Sequence, residues 1–156
     1  MKKLRSFYRL PLFFILPFLI IFGCENDDEE ILGPDIKGAY SDGVFVINEG
    51  NFGSDNSSIS FYYPEKDSVV NNIFFASNGR KLGNTTQSMF IDDTLAYIVV
   101  NASNKLEVVS AGSFKSKGGI ENGLSSPRYF TSLNDKGYIT NWGKFDENFT
   151  QTEPPF

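Results

Sequence analysis

A chain of 156 residues with a formal net charge of −5 has room for one domain of ordinary size, and its acidic balance argues against a phosphate-binding face for nucleic acid. It holds no histidine and a single cysteine. That excludes a Ser-His-Asp or Cys-His nucleophilic centre, a histidine-bound zinc and an internal disulfide.

In chain order, Lys2, Lys3, Arg5 and Arg9 come first with no acid among them, and Leu10 to Phe22 is then an unbroken apolar run of thirteen residues. A basic head before about 7–15 apolar residues is the layout of a secretory signal. A spanning helix needs about 20 such residues, and Pro11 and Pro17 interrupt this run. Residues 1–23 are therefore expected to be an export signal. The sequence Ile21-Phe22-Gly23-Cys24 resembles the lipobox of bacterial lipoproteins. Gly23 would give the peptidase its small residue, and Cys24 would accept the lipid. The following Glu25-Asn26-Asp27-Asp28-Glu29-Glu30 reads as a solvated tether. It also resembles the mark by which some Gram-negative lineages send lipoproteins to the outer face of the outer membrane. Residues 24–41, with Gly33, Pro34 and Gly38, read as lipidated cysteine, acidic tether and linker. Loss of the signal removes four cations and leaves ten Lys and Arg against nineteen acids, a net charge near −9.

From residue 42 onward the pattern is all-β. Short β-rich runs alternate with Asn, Asp, Gly and Ser. The expected strands are Val44–Asn48, Ser58–Tyr63, Ser68–Phe74, Ser88–Ile91, Leu95–Asn101, Leu106–Ser110, Phe114–Gly118, Tyr129–Leu133 and Gly137–Asn141. Asp92-Asp93-Thr94 and Asn134-Asp135-Lys136 read as hairpin turns. Gln87 to Ile98 aligns without gaps on Arg128 to Ile139 at an offset of 41, and Phe45-Val46-Ile47 aligns on Tyr97-Ile98-Val99 at an offset of 52. A period of about 40–50 residues with four strands is the mark of a β-propeller blade. One full blade is expected, with strands 87–91, 95–100, 104–110 and 114–120. A partial blade precedes it and another follows. Residues 42–156 are thus read as a partial propeller of two to three blades, with a β-sandwich as the competing architecture.

Gly43 to Ser54 (GVFVINEGNFGS), Asn78 to Gly83 (NGRKLG), Tyr97 to Asn101 (YIVVN) and Ser126 to Phe130 (SPRYF) carry a resemblance to the YncE-like propeller lipoproteins. It spans nearly all of residues 43–142. The resemblance implies a seven-bladed ring, of which this chain would be an N-terminal piece. It also implies a surface lipoprotein. Some members capture corrinoids and pass them to an outer-membrane transporter.

The chemistry left open is binding. Asp92-Asp93 sits in a hairpin turn, where neighbouring carboxylates face apart, so a glycosidase pair is not expected there. The loop Glu49 to Ser57 fits no EF-hand spacing, and neither metal nor cofactor is expected. In a propeller, ligands sit over the central axis. The repeat makes Glu49, Asn101 and Trp142 equivalent around that axis, and likewise Gln87 and Arg128. Phe52, Trp142 and Phe145 offer flat apolar surface, while Asn51, Asn101, Gln87 and Arg128 offer directional polar groups. The expected function is a non-catalytic, surface-exposed ligand-binding lipoprotein of the outer membrane. Its partners would be the membrane through the anchor, a small molecule such as a corrinoid, and an outer-membrane transporter. A structural or adhesive propeller that binds glycan or protein is the alternative.

Overall fold

The computed structural model describes residues 37–154. The expected signal, Cys24 and the acidic run lie outside the described residues. Among the described residues no helix is long and apolar enough to cross a membrane.

Period-two alternation drives the first sheet. In β1 (Val44–Asn48), Phe45 and Ile47 turn inward and their neighbours outward. A loop leads to β2 (Ser58–Tyr63), paired antiparallel with Val44 opposite Tyr62 and Asn48 opposite Ser58. The third strand, β3 (Ser68–Val70), is shorter than expected. The run Ser68–Phe74 does not continue as strand: Asn72 turns left-handed at φ 55°, and helix α1 takes Ile73–Asn78. Gly79, at φ 67°, closes the helix, and its N–H donates to the Phe75 carbonyl. Ile73 and Phe74 are buried, with α1 lying against β2.

The second sheet is a four-stranded antiparallel meander of β4 (Thr86–Asp92), β5 (Leu95–Val100), β6 (Lys105–Ser110) and β7 (Ser116–Ile120). The four expected strands of residues 87–120 are all present. The limits of β4 and the start of β6 shift by one residue, and the outer strand starts two residues late: Phe114 is not its start but a fully buried residue at φ 57° before it. The third sheet is the hairpin β8 (Pro127–Leu133) and β9 (Lys136–Asn141). Its turn residues Asn134 and Asp135 both take positive φ, as a tight hairpin requires.

The repeat extends below the level of strands. Each boundary of β4 and β5 reappears 41 residues later in β8 and β9. A bulge between Thr86 and Ser88 has its counterpart between Pro127 and Tyr129. Thr85 and Ser126, just before, are both left-handed, at φ 60° and 50°.

The core lies between the first and second sheets. Ile59, Phe61, Ala96, Ile98, Val100 and Val109 are fully buried there. Phe61 meets Tyr40 and Phe45 edge-on at 5.3 and 4.8 Å between ring centroids. The third sheet packs on the other face of the second, where Tyr97 stacks on Phe130 at 4.2 Å and 13°. The motif Asn78 to Gly83 ties the helix to the second sheet. The Asn78 amide donates to the carbonyls of Phe74 and Phe114 and accepts the Ser116 N–H. Arg80 pairs with the buried carboxylate of Glu107 at 2.6 Å.

Candidate functional site

Repeat-equivalent positions follow one strand of each sheet: Glu49 after β1, the first strand of its sheet, and Asn101 after β5 and Trp142 after β9, each the second strand of its own. Two of the three are held alike. The Asn101 N–H donates to the Thr85 carbonyl at 2.8 Å, and the Trp142 N–H donates to the Ser126 carbonyl at 3.1 Å. Thr85 and Ser126, whose carbonyls accept these bonds, are both left-handed. Such strain in non-glycine residues persists where surrounding bonds over-determine it. Asn101 also crosses between sheets, its Nδ2 donating to the Pro127 carbonyl at 2.9 Å.

A cleft of about 470 Å³ opens at this end of the second and third sheets. Trp142, Phe145, Phe149 and Phe52 give it aromatic walls, and Asn101, Ser126, Asp146 and Glu147 give it polar ones. Trp142 and Phe145 meet edge-on at 6.3 Å. Arg128 lays its guanidinium over the Trp142 ring at 3.8 Å, a cation–π contact that fixes the indole plane. Gln151 holds the same residue from behind, Nε2 donating to the Trp142 carbonyl at 2.7 Å. Asp146 spends one oxygen on the turn, accepting the N–H groups of Asn148 and Thr150. Glu147 has no such partner among the described residues. Phe52 and Phe149 project at the rim, 84% and 87% exposed.

Of the residues expected to bind, the structure brings Phe52, Asn101, Trp142 and Phe145 into one cleft, with Arg128 stacked on Trp142. Glu49 is exposed beyond it and does not line it. Asn51 serves its own loop: its N–H donates to the Asn56 side chain and its carbonyl accepts the Ser54 N–H. Gln87 and Arg128 occupy the bulged position of β4 and β8, and Gln87 is half-buried away from the cleft. Phe149 and Glu147 were not expected. They lie past the last aligned repeat position, and the turn-forming Asp146-Glu147-Asn148 is the local signal that an exposed loop carries them.

A second hollow of about 370 Å³ lies beside Asp55, Phe75 and Lys81. Its two charges face each other at 3.7 Å, so it offers less to a ligand than the aromatic cleft. Among the described residues no three of His, Cys, Asp or Glu gather as metal ligands. The cleft presents flat apolar faces with carboxylate and amide acceptors at one side. That combination is chemically suited to a ring-bearing molecule carrying hydroxyl or amine donors.

A family model described as a domain of unknown function, DUF5074, matches residues 42–147. No curated protein matches the chain.

Proposed function

The chain belongs to the DUF5074 family, and from that starting point we propose a lipid-anchored, surface-exposed binding protein without catalysis. Its sheets are successive blades of a β-propeller. Its ligand is a small molecule, a corrinoid in the first instance, passed on to an outer-membrane transporter. The blade reading is supported by the 41-residue repeat, which reproduces strand limits, the bulge and the left-handed residue before it. The anchor reading rests on Gly23-Cys24 behind the apolar run, and the surface reading on the acids that follow.

One observation carries the binding reading. Two repeat-equivalent residues, Asn101 and Trp142, converge with Phe52, Phe145 and Phe149 on a cleft of about 470 Å³, within the size range of small-molecule sites. Calorimetric titration of the full chain with cobalamin tests it. Saturable heat that falls at least about tenfold in affinity on Trp142→Ala is expected, since tenfold is about 1.4 kcal/mol and one aromatic face contributes that much. Absence of heat with the unaltered chain removes the corrinoid reading. The exposed rim aromatics Phe52 and Phe149 favour one second reading, a surface that stacks on sugar rings of a glycan. A glycan array with the full chain separates the two: that reading expects array signal and indifference to cobalamin.

A further inference from the structure

The loop between β1 and β2 and the loop between β5 and β6 meet at one short stretch, Gly83-Asn84-Thr85. Gly83 lies so close to the second of these loops that a Cβ there would stand 2.7 Å from the Ser103 hydroxyl oxygen. The same hydroxyl accepts the N–H of the next residue, Asn84, at 2.8 Å. Thr85, buried and left-handed at φ 60°, follows. The backbone of Asn84 is thus tied to the second sheet's loop, with its side chain half-buried.

That side chain reaches the first sheet's loop. Its amide oxygen accepts the Gly53 N–H at 3.0 Å, across a sequence separation of 31. It also accepts the Thr85 hydroxyl at 3.2 Å. Gly53 follows Phe52, one wall of the aromatic cleft. Phe52 is among the most exposed aromatics of the domain, so packing does little to place its ring. The backbone at 52–53 has to place it.

The rest of that loop is held elsewhere. At its base the Ser57 N–H and hydroxyl both donate to the Gly83 carbonyl, at 3.3 and 2.7 Å. Asp55 and Lys81 pair at 3.7 Å with both side chains exposed, a contact of little weight. The Asn51 N–H and the Ser54 N–H bond within the loop. Among the described residues, the bond to Asn84 is the one hydrogen bond that joins the Phe52-Gly53 tip to anything outside its loop. An asparagine oxygen that served only its own turn would bond its neighbours alone; this one also spans two sheets.

Another wall of the cleft is fastened in the same manner. The Asn104 amide oxygen accepts the Ser126 N–H at 2.8 Å, and the Ser126 carbonyl accepts the Trp142 N–H. Asparagine oxygens beside the second sheet therefore hold the backbone on both sides of it.

We infer that Asn84 is a positioning residue of the cleft: its amide oxygen, acting through the Gly53 N–H, fixes where Phe52 stands at the site. This deepens the small-molecule reading of the cleft and rests on it for its meaning in binding. The contact itself needs no ligand. Only the oxygen of the Asn84 side chain is engaged among the described residues. Aspartate, which keeps an acceptor there, replaces it, and alanine does not.

A nitroxide at position 52 tests this. The full chain with Cys24→Ser and Phe52→Cys, dispersed in detergent, carries one thiol for the label. Its paramagnetic resonance lines broaden as the loop tip is held more firmly. Asn84→Ala is expected to narrow them, and Asn84→Asp to keep the breadth of the parent. Equal line widths for Asn84→Ala and its parent overturn the inference, as does Asn84→Asp behaving like Asn84→Ala. If Asn84→Ala abolishes the β-sheet circular dichroism, hydrogen exchange at the Gly53 amide of the unaltered chain decides instead. Protection there supports the contact; exchange at the rate of an open peptide overturns it. Neither measurement contains a ligand. Failure to bind cobalamin or glycan therefore leaves this contact standing, and failure here leaves the binding readings to their own tests.

Discussion

Glu107 is the most constrained ionisable residue described. It lies in β6 with its side chain 4% exposed, bonded by Arg80 and the Ser116 hydroxyl at 2.6 Å each, with Lys105 at 3.4 Å. Burial alone works to raise its pKa. The Arg80 and Ser116 hydrogen bonds and the charges of Arg80 and Lys105 outweigh burial and hold it below its ordinary 4.5. A carboxylate depressed in the folded state adds stability above the unfolded value. That stability is lost as pH falls from 4.5 through the lower folded value. Glu107→Gln should therefore lose roughly 1–3 kcal/mol near pH 7, the cost of breaking a buried charge-assisted set. It should also show a shallower further loss on acidification than the unaltered chain. Urea midpoints at neutral and acid pH check both; equal acid slopes would exclude Glu107 as their source. This arrangement was not legible in the sequence. In Leu106-Glu107-Val108 the glutamate reads as the outward position of an alternating strand, and its partner Arg80 sits 27 residues earlier, in a loop.

At the scale of elements, the paired bulges set the phase of each inner strand. A bulge inserts one residue without a partner, so side chains on its two sides keep their faces only while that residue is present. Before the first bulge, the Thr86 hydroxyl donates to the buried Ser57 hydroxyl, which in turn donates to the Gly83 carbonyl. Deleting Gln87 should swing Thr86 out of that chain and lower the urea midpoint sharply. Gln87→Ala keeps the backbone and should change stability by no more than about 0.5 kcal/mol. Comparable midpoints for deletion and substitution would exclude a phasing role. Most strands were legible because polar turn residues bracket alternating apolar ones; β1 and β2 have the expected limits. The stretch Ser68–Phe74 was not. Ser-Val-Val and Ile-Phe-Phe are both short apolar runs, which periodicity cannot assign, and the helix depends on the left-handed Asn72 and Gly79 that bracket it. The bulges were hidden as well, since a gapless alignment of two bulged strands looks like two regular ones.

At the scale of the whole molecule, the lipoprotein reading of residues 1–30 rests on the sequence alone. If Cys24 carries the lipid, Cys24→Ala should incorporate no labelled palmitate and should leave the membrane fraction in the cells that make it. Label retained by that variant would refute the assignment, because no second thiol is available. Of the candidate site, the sequence made visible what the repeat encodes: Asn101 and Trp142 are equivalent and do converge. It did not reveal that Asn101 is already bonded to Pro127, or that Arg128 rests on Trp142. Such contacts run between sheets, and no pattern within one strand records them.

The guanidinium of Arg128, 3.8 Å above the Trp142 ring, has a spectroscopic consequence. Trp142 is the only tryptophan in the chain. Its emission therefore comes from one indole, in the candidate cleft, with a cation against one ring face and an exposed aromatic wall nearby. A molecule that displaces the guanidinium or covers the indole changes the colour and yield of that emission, read with excitation at wavelengths the seven tyrosines do not absorb. The cleft thus carries its own optical probe, and unlabelled ligands can be screened by exciting this single residue.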